Sequence, residues 1–406
     1  MDLSSLTGVG KPEQEQKPSF EYTAQAASSV VSGEVKLTIG EKSYNIASLF
    51  DTVEIDFAEI NTLSFADYTV TVKTDSGDYA FYRMGSWAQP FYDALCEAYN
   101  KAVLRSLFIK GSPILTARGD FRYSEKGVND GGAAPVHVYE NNVTVLPPNL
   151  SARRIPLCFV TDMEKGGYEL TLKLDPGENY TFAKLGYDTA YFADAAEKQI
   201  RALRQKSLAV IKELDPALAA AQASQLARIM PEGAAAAFGQ LAQIAPSFVA
   251  SLEEKLANTR ANEYYAVFKN LCAPAQIYIG FRKNEEPTPD PYLLWMIAPS
   301  PDGQYASVEF SEANSATFVY KTSGDFEGFA RQLNRALEAI DFKREVIRMT
   351  DEELRKPENA DYYMAAKRTT SLQFIRSCFT GRVIHSNLES WKRNLLELWS
   401  GMPLNS

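Results

Sequence analysis

Apolar and polar residues alternate in short runs along the first half of the chain, and each block of runs ends in a stripe with helical spacing. Val35-Lys-Leu-Thr-Ile39, Ser43-Tyr-Asn-Ile46 and Val53-Glu-Ile-Asp-Phe57 place their apolar residues on one face at period two. That is the pattern of half-buried strands. Tyr68, Val70 and Val72 continue it, Asp75-Ser-Gly77 marks a turn, and residues 79–84 return. Two alternating runs joined in this way predict a hairpin. Past Gly85 the period changes. Phe91, Leu95, Ala98 and Ala102 share one side of a helix, and Pro90 suits its first turn, where a missing N–H costs nothing.

The same pattern is then written a second time. Tyr68-Thr-Val-Thr-Val-Lys-Thr-Asp-Ser-Gly77 returns as Tyr168-Glu-Leu-Thr-Leu-Lys-Leu-Asp-Pro-Gly177. After one inserted residue, Phe81, Arg83, Met84-Gly85 and Phe91 match Phe182, Lys184, Leu185-Gly186 and Phe192. An internal repeat of this kind predicts two copies of one supersecondary plan. In the second copy residues 136–139 and 143–146 flank Glu140-Asn-Asn142, a turn, and residues 155–160 form a buried run. Its helix carries Phe192, Ala196, Ile200 and Leu203 and runs on to Leu214, longer than its counterpart.

Residues 276–342 follow the order more loosely. Runs beginning at Gln276, Tyr292, Tyr305 and Ala316 have strand character, and Phe326, Phe329, Leu333, Leu337 and Ile340 make a helix stripe. They predict a degraded third copy. Residues 216–272 are rich in Ala and Gln and are cut by Pro231, Gly233 and Pro246 into short helices, the expected connector. The C-terminal region is helical, with capping-box spacing at Thr350-x-x-Glu353 and Ser386-x-x-Glu389. The expected division is a flexible tail (1–18), a first module (19–110), a second (111–214), a helical connector (215–272), a divergent third module (273–345) and a helical C-terminal region (346–406).

Antiparallel strands closed by one C-terminal amphipathic helix resemble the pleckstrin-homology-like superfold, in particular its bacterial members. The features carrying the resemblance are Ile55-Asp-Phe-Ala-Glu-Ile60, the 68–84 hairpin and the helix from Phe91, with Ile155-Pro-Leu-Cys-Phe-Val160, residues 168–185 and Phe192 in the second copy. The two clear copies cover about half the chain. The resemblance implies an α+β fold of tandem pleckstrin-homology-like domains, each an antiparallel sheet or barrel capped by a C-terminal helix. Lipid-binding members of the superfold carry several Lys and Arg on the loop between the first two strands. Here the first copy offers Gly40-Glu41-Lys42 and the second Arg122 and Lys126. Arg122 and Lys126, with Arg153 and Arg154, are the candidate ligand or lipid contacts. Other members bind peptides or serve in assembly.

Charge and chemistry narrow this further. A net charge of −9 argues against a general electrostatic grip on nucleic acid or anionic lipid. Cys96, Cys158, Cys272 and Cys378 are far apart beside apolar residues, the usage of buried thiols in a reducing cytoplasm. The N-terminus has no signal-peptide pattern, and the most apolar window, 234–256, is broken by Gly239, Gln240, Gln243 and Pro246. His137 and His385 are the only histidines and stand apart from any metal-ligand spacing. No phosphate loop, nucleophile elbow or HExxH pattern occurs. No cofactor is expected. Abundant tyrosine, with its apolar body and polar tip, favours protein interfaces. The leading expectation is a non-enzymatic binding or scaffold protein acting on a protein partner. Peripheral membrane binding and an enzyme with a site between domains are the alternatives.

Overall fold

The computed structural model describes residues 20–125, 127–284, 291–311 and 316–402. The expected flexible tail lies outside them. The fold is α+β with three antiparallel sheets, and the chain divides into two compact units, Met1–Ala102 and Val103–Ser406.

Unit 1 holds β1 (Glu21–Ala27), β2 (Ser32–Ile39), β3 (Ser43–Ala47), β4 (Thr52–Asp56), β5 (Ile60–Ala66), β6 (Thr69–Thr74) and β7 (Asp78–Tyr82). They form one sheet in the order β4-β3-β2-β1-β7-β6-β5, followed by α1 (Ala88–Ser106). The alternating runs place Leu37, Tyr44, Ile46, Val70, Val72 and Phe81 inside, and Phe91 and Leu95 of α1 cover them. Phe81 and Phe91 meet edge to face with ring centres 6.0 Å apart, a favoured aromatic arrangement. β1 escaped the sequence reading because two of its three buried positions are the small residues Ala24 and Ala26.

Unit 2 opens with β8 (Leu115–Glu125), β9 (Val128–Val138), β10 (Asn142–Val145), β11 (Arg153–Pro156), β12 (Val160–Lys165), β13 (Glu169–Leu174) and β14 (Glu178–Ala183). Their order is β11-β10-β9-β8-β14-β13-β12, the same as in unit 1, and α2 (Asp188–Leu214) follows. The copies agree down to single backbone bonds. Phe57 N–H donates to the Lys42 carbonyl at 2.8 Å, and Leu157 N–H to the Asn141 carbonyl at 3.0 Å. Asp75 N–H reaches the Glu59 carbonyl at 3.0 Å, and Asp175 N–H the Phe159 carbonyl at 3.1 Å. Register slips after Ile60 and after Val160. Both hairpins end in a left-handed residue, Arg83 at φ 58° and Lys184 at φ 55°, two positions before a left-handed glycine. The repeat in sequence is a repeat in structure.

The third sheet departs from the expected third copy. Its strands β15 (Ala236–Ala237), β16 (Tyr278–Lys283), β17 (Tyr292–Pro299), β18 (Tyr305–Phe310), β19 (Ala316–Lys321) and β20 (Phe379–Ile384) pair in sequential order. Every residue of β17 is buried, so both faces of the sheet need cover. On one face α3 (Ala220–Ile229), α4 (Phe238–Ile244), α5 (Pro246–Ala257) and α6 (Asn262–Leu271) share a core with Leu294, Met296 and Val319. On the other, Trp295, Ile297 and Phe318 pack with α7 (Phe326–Ala339), α8 (Glu345–Arg348), α9 (Asp351–Leu354), α10 (Ala360–Arg368) and α11 (Thr370–Cys378). The last helix, α12 (Leu388–Trp399), joins the first face through Trp391, Leu395 and Leu398. The expected boundaries at 273 and 345 therefore cut through a helix–sheet–helix stack. The "connector" is one of its layers. A sheet apolar on both sides cannot be closed by a single helix. The unbroken apolar run 292–298 was the signal. At α12 the capping residue is Asn387, whose side chain accepts the Ser390 N–H at 2.9 Å, and not Ser386.

Candidate functional site

Three of the four residues predicted to meet a ligand are described; Lys126 lies outside the described residues. Arg122 on β8 is exposed and pairs with Glu169 at 2.9 Å. Arg153 and Arg154 are both engaged by groups within unit 2. Arg153 lies 3.7 Å over the Tyr123 ring, bonds the Tyr123 hydroxyl, and donates to the Arg368 carbonyl at 3.2 Å. Arg154 is 8% exposed; it pairs with the Glu338 carboxylate at 2.7 Å and donates to the Glu338 carbonyl at 2.9 Å. The physical reason is that the outer side of β11 packs against α7.

That packing builds a charged seam inside unit 2. α7 buries Phe329, Leu333 and Leu337 against the third sheet, while Arg331, Arg335 and Glu338 take the opposite stripe. Arg335 Nε donates to Glu178 at 2.8 Å and its Nη2 to the Arg154 carbonyl at 3.2 Å. Arg331 Nε reaches Asp175 at 2.8 Å. Burial works against the Arg335 charge, but Glu178, Glu338 and Tyr180 more than reverse it and hold the guanidinium protonated. Burial raises the Glu338 carboxyl against the pull of Arg154 and Arg335. Burial, then the neighbouring Glu178, raises Glu125. A stripe of charge opposite an apolar helix face ordinarily marks solvent, which is why the sequence concealed this contact.

A second polar cluster lies in the helix–sheet–helix stack. His385 Nε2 is 3.2 Å from Glu309 and 3.2 Å from the Thr317 hydroxyl, which donates to Glu309 at 2.5 Å. Trp391 Nε1 donates to the same Thr317 oxygen at 2.8 Å, and the Tyr264 ring stacks on His385 with centres 4.1 Å apart. Burial raises Glu309 and pushes Tyr264 up to about 12. The cluster ties α6 and α12 to β18 and β19. Burial lowers the imidazole of His137, half-buried on β9, below its ordinary value.

A cleft of about 560 Å³ opens in unit 2 beside the seam. Phe159, Leu203 and Ile229 line its apolar part, and Arg204, Ser207, Arg228, Gln240, Tyr278 and Arg331 bring polar groups to it. Cys158 is also present, but burial, then Glu338 and Glu232, raise its thiol well above the usual range. A protonated thiol is a poor nucleophile at neutral pH.

Unit 1 presents a different surface. Thr38, Asn45 and Glu54 are cross-strand neighbours on the outer side of its sheet; the equivalent row in unit 2 is His137, Thr144 and Arg154. Glu54 is exposed and accepts a hydrogen bond from Ser43 at 2.5 Å. At the tip between β3 and β4, Leu49 and Phe50 are 86% and 93% exposed. The corresponding loop in unit 2 is longer, and its Leu146 and Ala152 are buried. Sequence alone could have flagged Leu49-Phe50 as an apolar pair inside a turn, and did not.

No protein family matches the chain, and no curated protein is similar to it. Among solved structures, the chain is similar to the structure of the Spt16D Pob3N heterodimer at 15% identity, over 40% of this chain and 85% of that one, with a TM-score of 0.17. A score that low carries no argument about fold or function.

Proposed function

We propose that the chain is a non-enzymatic binding protein built on two pleckstrin-homology-like modules, with the first module as the element that meets a protein partner. The reading is carried by one contrast between the copies. Both have the same strand order and core, but the outer row of the second is used internally by α7, whereas that of the first is polar and open. Beside that open row stand Leu49 and Phe50, an exposed apolar pair on a tight turn. Apolar groups rimmed by polar ones are the usual composition of a protein-binding patch. The membrane reading rested on four basic residues, of which Arg153 and Arg154 are engaged within unit 2.

The test compares quantitative affinity capture of the full chain with that of a Leu49→Asp/Phe50→Asp variant, in the cells from which the chain comes. A partner set retained by the parent and depleted at least tenfold in the variant supports the reading. Identical capture by both, or no specific partner for either, overturns it.

A further inference from the structure

We infer that the cleft in unit 2 is a binding site for a small amphipathic anion, a carboxylate or phosphate monoester carrying an apolar body. Its volume of about 560 Å³ lies within the range of small-molecule sites, roughly 300–1,000 Å³. Such sites combine an apolar lining with a few placed polar groups, and the same division holds here. Phe159, Leu203 and Ile229 supply apolar wall. The polar side is rich in donors.

The available donors differ in how far the fold already uses them. Arg331 is held by Asp175, and Arg204 spends one guanidinium nitrogen on the Val160 carbonyl at 3.2 Å. Asn334 is satisfied in both directions by the backbone of Ala235. Arg228 makes no hydrogen bond or ion pair with any described residue. Ser207 accepts from the Glu232 N–H at 3.3 Å, which leaves its own proton to donate. Tyr278 is half-buried, and burial followed by the nearby Glu327 raises its phenol, so it stays a neutral O–H donor. Against these stand two acceptor carboxylates, Asp175 and Glu327, the first of them already occupied. The free donors are those of Arg228, Arg204, Ser207 and Tyr278, and Glu327 is the free carboxylate among the two. A planar guanidinium and neutral hydroxyls suit carboxylate or phosphate oxygens. A cationic head group carries no acceptor and would leave these donors unanswered.

The inference is independent of the partner reading, which concerns unit 1. The experiment uses the full chain and 8-anilinonaphthalene-1-sulfonate, an amphipathic anion whose fluorescence rises on binding. Octanoate and octyl phosphate are then added as displacers, with octyltrimethylammonium as the charge control. Saturable one-to-one binding, displaced by at least one of the two anions and not by the cation, is the expected result; which anion displaces better tells a carboxylate site from a phosphate site. Arg204→Gln/Arg228→Gln is expected to weaken binding at least tenfold. Gln240→Trp, a surface change at the cleft that leaves the arginines in place, is expected to block it. Absence of saturable binding, equal displacement by the cation, or unchanged affinity in both variants overturns the inference.

Discussion

The two copies of the seven-stranded sheet share a core and differ in what their outer sides are for. Residues 100 positions apart occupy the same place: Ile55 and Ile155 are both buried, while beside them Glu54 is exposed and Arg154 is enclosed by Glu338. Asn45 is partly exposed where Thr144 is completely buried. The shared positions are packing positions, and the divergent ones decide whether a copy presents a surface or serves as a base for other elements. Function in a repeated fold therefore lies where the copies stop agreeing.

Equivalent cores should lose equal stability when a matched ring is removed from each copy. Phe81→Ala and Phe182→Ala each remove a fully buried ring, and each is expected to cost about 3–5 kcal/mol. The check is hydrogen exchange of the peptides around each site across a denaturant series. Costs that differ by more than about 2 kcal/mol, large beside the usual context dependence of such values, would show that the copies share a pattern and not a core.

The outer row provides a sharper contrast. Arg154→Ala takes away the 2.7 Å partner of buried Glu338 and leaves it only Arg335 at 3.5 Å, a change expected to cost unit 2 about 3 kcal/mol. Glu54→Ala, at the equivalent exposed position, should stay within about 0.5 kcal/mol. Comparable losses at the two sites, read from chemical unfolding, would remove the distinction between a used and an open face. The seam itself gives the next effect in size. Arg335→Ala strands Glu178, 2% exposed, and should destabilise by about 3 kcal/mol, whereas Arg335→Met/Glu178→Met removes both charges and should return most of that loss. A double variant no better than the single one would mean the pair is required for shape as well as charge neutrality.

Much of the fold could be read from the chain. Strands with clean alternation, such as β2, β3 and β6, and helices with a single apolar stripe, such as α1 and α2, were visible because their burial is one-sided. The third sheet was misjudged for the opposite reason. β17 is buried on both faces, and its covering layers come from 220–271 and 326–399, so neither layer is local to it. Arg153 and Arg154 were recognised as notable, but their partners Arg368 and Glu338 lie 215 and 184 residues away. Periodicity reports which face of an element is apolar. It does not report which distant element will cover a charged one.

The smallest effect bears on the same seam and fixes its electrostatic sign. Glu125 sits 5% exposed at the end of β8, facing Glu178, Arg335, Arg153 and Thr370. Burial and Glu178 raise its carboxyl in the folded state above the unfolded value. Folding then holds the proton more tightly than unfolding does. The stabilisation is complete below the ordinary glutamate range near 4.5 and is lost as pH rises through the folded value. Glu125→Gln keeps the size and a hydrogen-bonding amide without the charge, so it should make unit 2 more stable than the parent at pH 7, with the gap closing towards pH 4. Urea unfolding at both pH values measures it. A variant less stable than the parent at pH 7 would mean that Arg335 and Arg153 outweigh burial, making Glu125 a working member of the ion network on the enclosed face of the second copy.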